Sequence, residues 1–93
     1  MPWSNPNNFL FDKDNILQYA PRASGVYRIH NADREIYIAS SPNMQESLLG
    51  HLRGDVACIL QATPVWFSCQ LADNKSALKK AQELVAELKP LCN

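Results

Sequence analysis

The spacing of apolar residues changes along this chain, and each change marks an element. Gly25 to Ile29 carries Val26, Tyr27 and Ile29, the β-branched and aromatic residues that suit a strand. Glu35 to Ala39 repeats that character. The polar stretch His30 to Arg34 between them has hairpin length, so the two strands are expected to pair antiparallel. From Met44 the period lengthens: Met44, Leu48 and Leu52 fall on one helical face with Leu49 beside it. Ser41-Pro42 reads as that helix's start and Gly54 as its end. Val65 to Leu71 predicts a third strand. Ala77, Leu78, Ala81, Leu84, Val85 and Leu88 form the stripe of a final helix, capped by Asp73 or Asn74 and stopped by Pro90. Lys79, Lys80, Glu83 and Glu87 fall on its solvent side.

Two stretches are less regular. Residues 1–8 are rich in Pro and Asn and read as an irregular lead-in, with Trp3 expected to dock on the body of the fold. A short helix through Ile16, Leu17 and Tyr19, capped by Asp12 or Asp14, follows and ends at Pro21. Val56 to Leu60 is apolar but too short for periodicity to separate helix from strand. The expected organisation is thus residues 1–20 as lead-in and short helix, and residues 21–93 as one small α/β domain. Its core is a three-stranded antiparallel sheet flanked by helices.

Composition narrows the function. The 93 residues suit a single core, and 46% are hydrophobic. Nine basic residues balance nine acidic ones. A domain holding nucleic acid chiefly by neutralising phosphates is usually more basic, so such binding would need a local patch, for which Arg22, Arg28, Arg34 and Arg53 are candidates. No run of residues has the pattern of a signal peptide or the length to cross a bilayer. Three cysteines are an odd count, which argues against a closed disulfide framework and for a reducing cytoplasm. Cys58 and Cys69 are expected as small core residues. Cys58, Cys69, Cys92 and His51 lack the close-spaced pair of a metal site. Ser47 and His51 are four apart on one helix edge, as a nucleophile and its base would be, but no third, orienting acid is evident.

Several short segments together carry more. Ser24-Gly25-Val26-Tyr27, Tyr37-Ile38-Ala39, Ser41-x-Asn43-Met44, Leu48-x-x-His51-Leu52 and the closing Glu87-Leu88-Lys89-Pro90-Leu91-Cys92-Asn93 occur in order. In this the chain resembles the GIY-YIG nuclease superfamily over roughly residues 20–93. The family hydrolyses phosphodiesters with one divalent metal. The resemblance implies that Tyr27 stands where a tyrosine helps activate water, and that Tyr37 contacts the phosphate or the water network. It also implies that His51 joins that site from the helix and that Asn93 braces the motif strands.

The same motifs show departures. Ala39 replaces the closing glycine of the second motif, and Ser40 follows it where a basic residue is common. Ser47 stands where the phosphate-clamping arginine is expected, and Ala81 where the metal-binding glutamate is expected. Phosphoryl transfer needs a positioned cation, and a hard divalent ion needs anionic oxygens. Loss of one such group commonly costs about 3–4 kcal/mol of transition-state stabilisation. Glu83 lies about 200° round the helix from Ala81, and Gln82 and Glu46 are each about 100° from the positions they would replace. Arg53 lies near the helix end, beyond His51. The expectation is a GIY-YIG-like domain with a vestigial site at Tyr27, Tyr37, His51 and Asn93 that needs no cofactor. It would be retained to bind nucleic acid (DNA or RNA) or a protein partner. The alternative is an active endonuclease using Mg²⁺ or Mn²⁺ through an unusual ligand set.

Overall fold

The computed structural model describes residues 8–93; the expectation for Trp3 lies outside them. The elements run β1 (Phe9–Leu10), α1 (Lys13–Tyr19), β2 (Gly25–His30), β3 (Glu35–Ser41), α2 (Met44–Leu52), α3 (Ala57–Gln61), β4 (Trp66–Leu71) and α4 (Asn74–Leu88). They form an α/β domain whose sheet has the order β1-β4-β2-β3, antiparallel throughout. The sheet has four strands where three were expected. The addition is β1, a pair of residues too short to show a period, which sets Phe9 opposite Phe67 and Leu10 opposite Trp66.

The hairpin of β2 and β3 follows the pattern read from the sequence, extended by one residue in β2 and two in β3. Its register puts Tyr27 opposite Ala39 and Ile29 opposite Tyr37. Strand alternation then sorts the side chains into two layers. On one face Tyr27, Ile29, Phe67 and Cys69 pack with Ile16 of α1, Met44 and Leu48 of α2, and Ile59 of α3. On the other, Val26 and Ile38 pack with Ala77, Ala81 and Leu84 of α4.

Helix ends are set by side chains accepting from free N–H groups. Asp12 caps α1 through the Asn15 N–H, and Asp73 caps α4 through the Ser76 N–H, both at 2.8 Å. Such caps contribute about 1 kcal/mol each. The start of α2 differs from expectation. Ser41 is the last residue of β3, and Asn43 caps the helix by accepting from the Glu46 N–H. Ser41 instead accepts from the Asn43 N–H, so its hydroxyl shapes the strand-to-helix turn one step before the cap. Gly54 follows α2 at φ 93°, a left-handed conformation that glycine adopts without a side-chain clash. The ambiguous segment is the helix α3. Leu78, expected in the buried stripe of α4, lies at its rim and is 53% exposed.

Two sequence expectations are corrected by contacts made across the fold. Arg28 does not contribute to a basic patch, because its guanidinium grips the Glu35 carboxylate through Nε and Nη2 across the β2–β3 pair. Cys58 is not an isolated core residue: it is disulfide-bonded to Cys92. The odd count arises because the third cysteine, Cys69, is buried as a thiol outside the disulfide.

His30, 8% exposed at the end of β2, gives a pH prediction. Burial, aided by the Arg28 charge and opposed by Glu35, lowers its pKa below the usual histidine value. The folded state therefore binds this proton less tightly than the unfolded chain. The stability His30 contributes is complete above the unfolded value, about 6.5, and is lost as pH falls below it toward the lower folded value. Urea midpoints between pH 7.5 and 5 should decline in the wild type and decline less in His30→Gln. Equal slopes for the two proteins refute the assignment.

Candidate functional site

The four residues picked out by sequence come to lie near β3, but in two groups. Tyr27 of β2, Tyr37 of β3 and His51 of α2 form an aromatic cluster. The Tyr37 ring stands edge-on to His51 with centroids 5.1 Å apart, and Tyr27 lies 5.6 Å from His51 and 6.3 Å from Tyr37. Asn93 is at the strand's outer edge. Its Oδ1 accepts the Ile38 N–H and its Nδ2 donates to the Ile38 carbonyl, both at 2.9 Å. That two-point grip fixes Asn93 although it is exposed.

A continuous chain of hydrogen bonds runs through the cluster. The Tyr27 hydroxyl lies 2.6 Å from His51 Nε2, and His51 Nδ1 lies 2.8 Å from Asp55 Oδ1. A carboxylate can only accept, so Asp55 fixes the proton on Nδ1. In the neutral ring Nε2 is then left to accept from the phenol. Beside Tyr27, the Ser47 hydroxyl lies 2.7 Å from the Ser41 hydroxyl. Asp55 is the orienting acid that sequence reading did not find. It sits four residues beyond His51, past the end of α2, where the chain turns back so that its N–H meets the Gly50 carbonyl at 3.2 Å. Gly50 makes room for it: a Cβ there would stand 2.9 Å from Asp55 Oδ2. The i,i+4 spacing of His51 and Asp55, with a glycine between the turns, is the signal the sequence held.

The network is closed over. Tyr27 is 3% exposed and His51 5%. Burial pushes the Tyr27 phenol well above its usual pKa; nearby Tyr37 and the Asp55 carboxylate add to the rise, and the Ser47 hydroxyl opposes it. A phenol held this way keeps its proton. It donates to His51 and is a poor base for water. Ser47 is bonded to Ser41 and His51 Nε2 to Tyr27, so the Ser47–His51 pairing considered from spacing is not made.

Ala81 lies in the other layer, packed with Val26 and Ile38. There an open groove of about 400 Å³ is lined by Ile38, Ala39, Ser40, Ala81, Gln82 and Val85, with Leu78 and Ala86 at its rim. None of these side chains is charged. A divalent cation does not fit this lining, because it offers no carboxylate to replace water around a hard ion. Among the described residues, no three His, Cys, Asp or Glu side chains stand close enough together to hold a metal. Nor is any described helix long and apolar enough to cross a membrane.

No family model matches the chain, and no curated protein matches it. Solved structures do. The GIY-YIG N-terminal endonuclease domain of UvrC from Thermotoga maritima, bound to its catalytic magnesium, superposes with a TM-score of 0.73 at 22% identity, covering 87% of this chain and 93% of that one. A tyrosine-to-phenylalanine mutant of the same domain superposes at TM-score 0.72 with 21% identity, over 87% and 93% of the two chains. An asparagine-to-alanine mutant gives 0.68 and 20%, over 87% and 92%. The likeness establishes a GIY-YIG-like fold.

Proposed function

We propose that this domain keeps the GIY-YIG-like frame without metal-dependent phosphodiester hydrolysis, and serves as a binding module. The observation that carries the reading is the uncharged lining around Ala81. The UvrC domain holds a catalytic divalent cation, and here the position expected for the metal-binding glutamate is a methyl group in an apolar groove. Ser47, where the clamping arginine is expected, is hydrogen-bonded to Ser41. Tyr27, His51 and Tyr37 then act as a packed hydrogen-bonded cluster, and Asn93 as a brace for β3.

The chemistry of the groove favours a protein partner over nucleic acid. It offers apolar contact and no cation for a phosphate, while Arg28 is already neutralised by Glu35. The UvrC likeness keeps nucleic acid as the competing partner class. One feature favours the alternative of an active endonuclease: the Tyr27–His51–Asp55 chain has the order of a proton relay, and Asp55 at its outer end is exposed.

Plasmid nicking at high protein concentration with Mg²⁺ or Mn²⁺ decides between active and inactive. No cleavage above the buffer control is expected. Metal-dependent nicking that disappears in Tyr27→Phe overturns the proposal. A gel shift of labelled DNA or RNA at low salt tests the partner class, with no salt-dependent shift expected.

A further inference from the structure

The end of the chain is held in place by an unusual combination. Helix α4 stops at Lys89, which takes the left-handed conformation at φ 50°, and Pro90 turns the chain inward. The last three residues then run along the outer edge of β3. Leu91 N–H donates to the Glu35 carbonyl at 3.1 Å and Cys92 N–H to the Ile36 carbonyl at 2.8 Å. Asn93 closes the row with its two bonds to Ile38. This tail supplies the partners that an edge strand otherwise lacks.

Three residues are a weak hold. Two of them, Leu91 and Asn93, are exposed. The tie is covalent. Cys92, in the middle of the tail, is bonded to Cys58 of α3, 34 positions earlier. Helix α3 is five residues long, has no side-chain N-cap, and is anchored by Ile59 in the core. The disulfide thus joins a core-anchored helix to a tail whose other contacts are a few polar bonds and the packing of Cys92 against the core.

We propose that Cys58–Cys92 is a redox latch on the C-terminal tail. Oxidised, it clamps residues 91–93 along β3. Reduced, it lets them leave and exposes the Glu35 and Ile36 carbonyls and the N–H and carbonyl of Ile38. The step is thiol–disulfide exchange with a dithiol reductant. One reductant sulfur attacks the protein disulfide and forms a mixed disulfide, and its second sulfur displaces the remaining protein sulfur. Two electrons pass to the protein, both cysteines end as thiols carrying the reductant's protons, and the dithiol becomes a disulfide.

Other features of the fold suit a reversible bond. Cys58 and Cys92 are both partly exposed, so a reductant can reach them. Cys69 is buried in β4, and burial pushes its thiol up to about 12, so it does not compete in exchange. Ile38, which the tail braces, also lines the apolar groove beside Ala81. Release therefore reaches that groove, but the latch stands whether or not the groove binds a partner.

The test uses the full chain, without reductant and after dithiothreitol. Thiol alkylation of the denatured protein should label one cysteine before reduction and three after. Hydrogen exchange at the Ile38, Leu91 and Cys92 amides should then speed up by about tenfold or more, as expected for a segment released from a folded body. The amides of β2 should keep their protection. Cys92→Ser should show the fast tail in both conditions, and Cys58→Ser provides the same check from the helix side. Labelling of all three cysteines in the unreduced protein overturns the proposal. So does tail exchange that reduction leaves unchanged, or a loss of protection that spreads through β2, which would make the bond a staple of the whole fold.

Discussion

Gly25→Ala is expected to remove more than half of the domain's stability. Gly25 opens β2 between two neighbours that leave no room for a methyl group. A Cβ there would lie 2.2 Å from the Gln70 carbonyl oxygen and 2.7 Å from Met44 Cε. Met44 can move, but the carbonyl belongs to the β2–β4 ladder, where Gly25 stands opposite Leu71 and Val26 opposite Gln70. Relief requires the two strands to separate at their end. Overpacking of this kind costs about 3 kcal/mol or more when backbone must shift. A domain of this size has total stability on the order of 5 kcal/mol. Circular dichroism with urea titration checks it: the variant's midpoint should fall below half the wild-type value. A midpoint within error of wild type shows that the strands are not packed this closely. The effect would be a matter of space and not of backbone angle, since Gly25 lies within a regular strand.

The second large effect concerns the centre of the hydrogen-bonded chain. His51→Ala removes a buried ring from between two tyrosines and takes away the acceptor of the Tyr27 hydroxyl. The cavity and the weakened pairing of a buried phenol together cost about 3 kcal/mol. Asp55→Asn should cost less than about 1 kcal/mol, because Asp55 is exposed and an amide oxygen can still accept from Nδ1. The ordering of the two variants in urea is therefore diagnostic. If His51→Ala matches wild type while Asp55→Asn falls well below it, the cluster is organised around the carboxylate and not around the imidazole. A buried histidine bonded on both sides ties α2 to the sheet, which is a structural role that requires no substrate.

The sequence was most legible where structure is local. The hairpin of Tyr27 and Tyr37, the faces of α2 and α4, and the caps Asp12 and Asp73 follow from residues within a few positions of one another. Ser41 shows how local rules compete: a serine before proline suits a helix cap, yet its backbone continues β3 and Asn43 takes the cap. Strand β1 was missed because two residues carry no period and their partners lie in β4. Tyr27, Tyr37, His51 and Asn93 were singled out by a family pattern, and the fold clusters the first three while Asn93 bonds to Ile38 of β3. Asp55 was not singled out, because it lies beyond the expected helix end and belongs to no motif.

By itself, then, the sequence determined the β2–β3 hairpin, β4 and the helices α1, α2 and α4 in their order, and the absence of a charged side chain at positions 47 and 81. Those properties depend on residue identity and periodicity, which the chain states directly. The tertiary structure decided which groups meet: Tyr27 with His51, 24 positions apart; Cys58 with Cys92, 34 apart; Asn93 with Ile38, 55 apart. It also decided that the two motif tyrosines lie against α2 while Ala81, on α4, packs on the other face of the sheet. Such pairings are chosen by packing two layers of helices on one twisted sheet, and no spacing along the chain encodes which distant side chain that packing brings within a hydrogen bond.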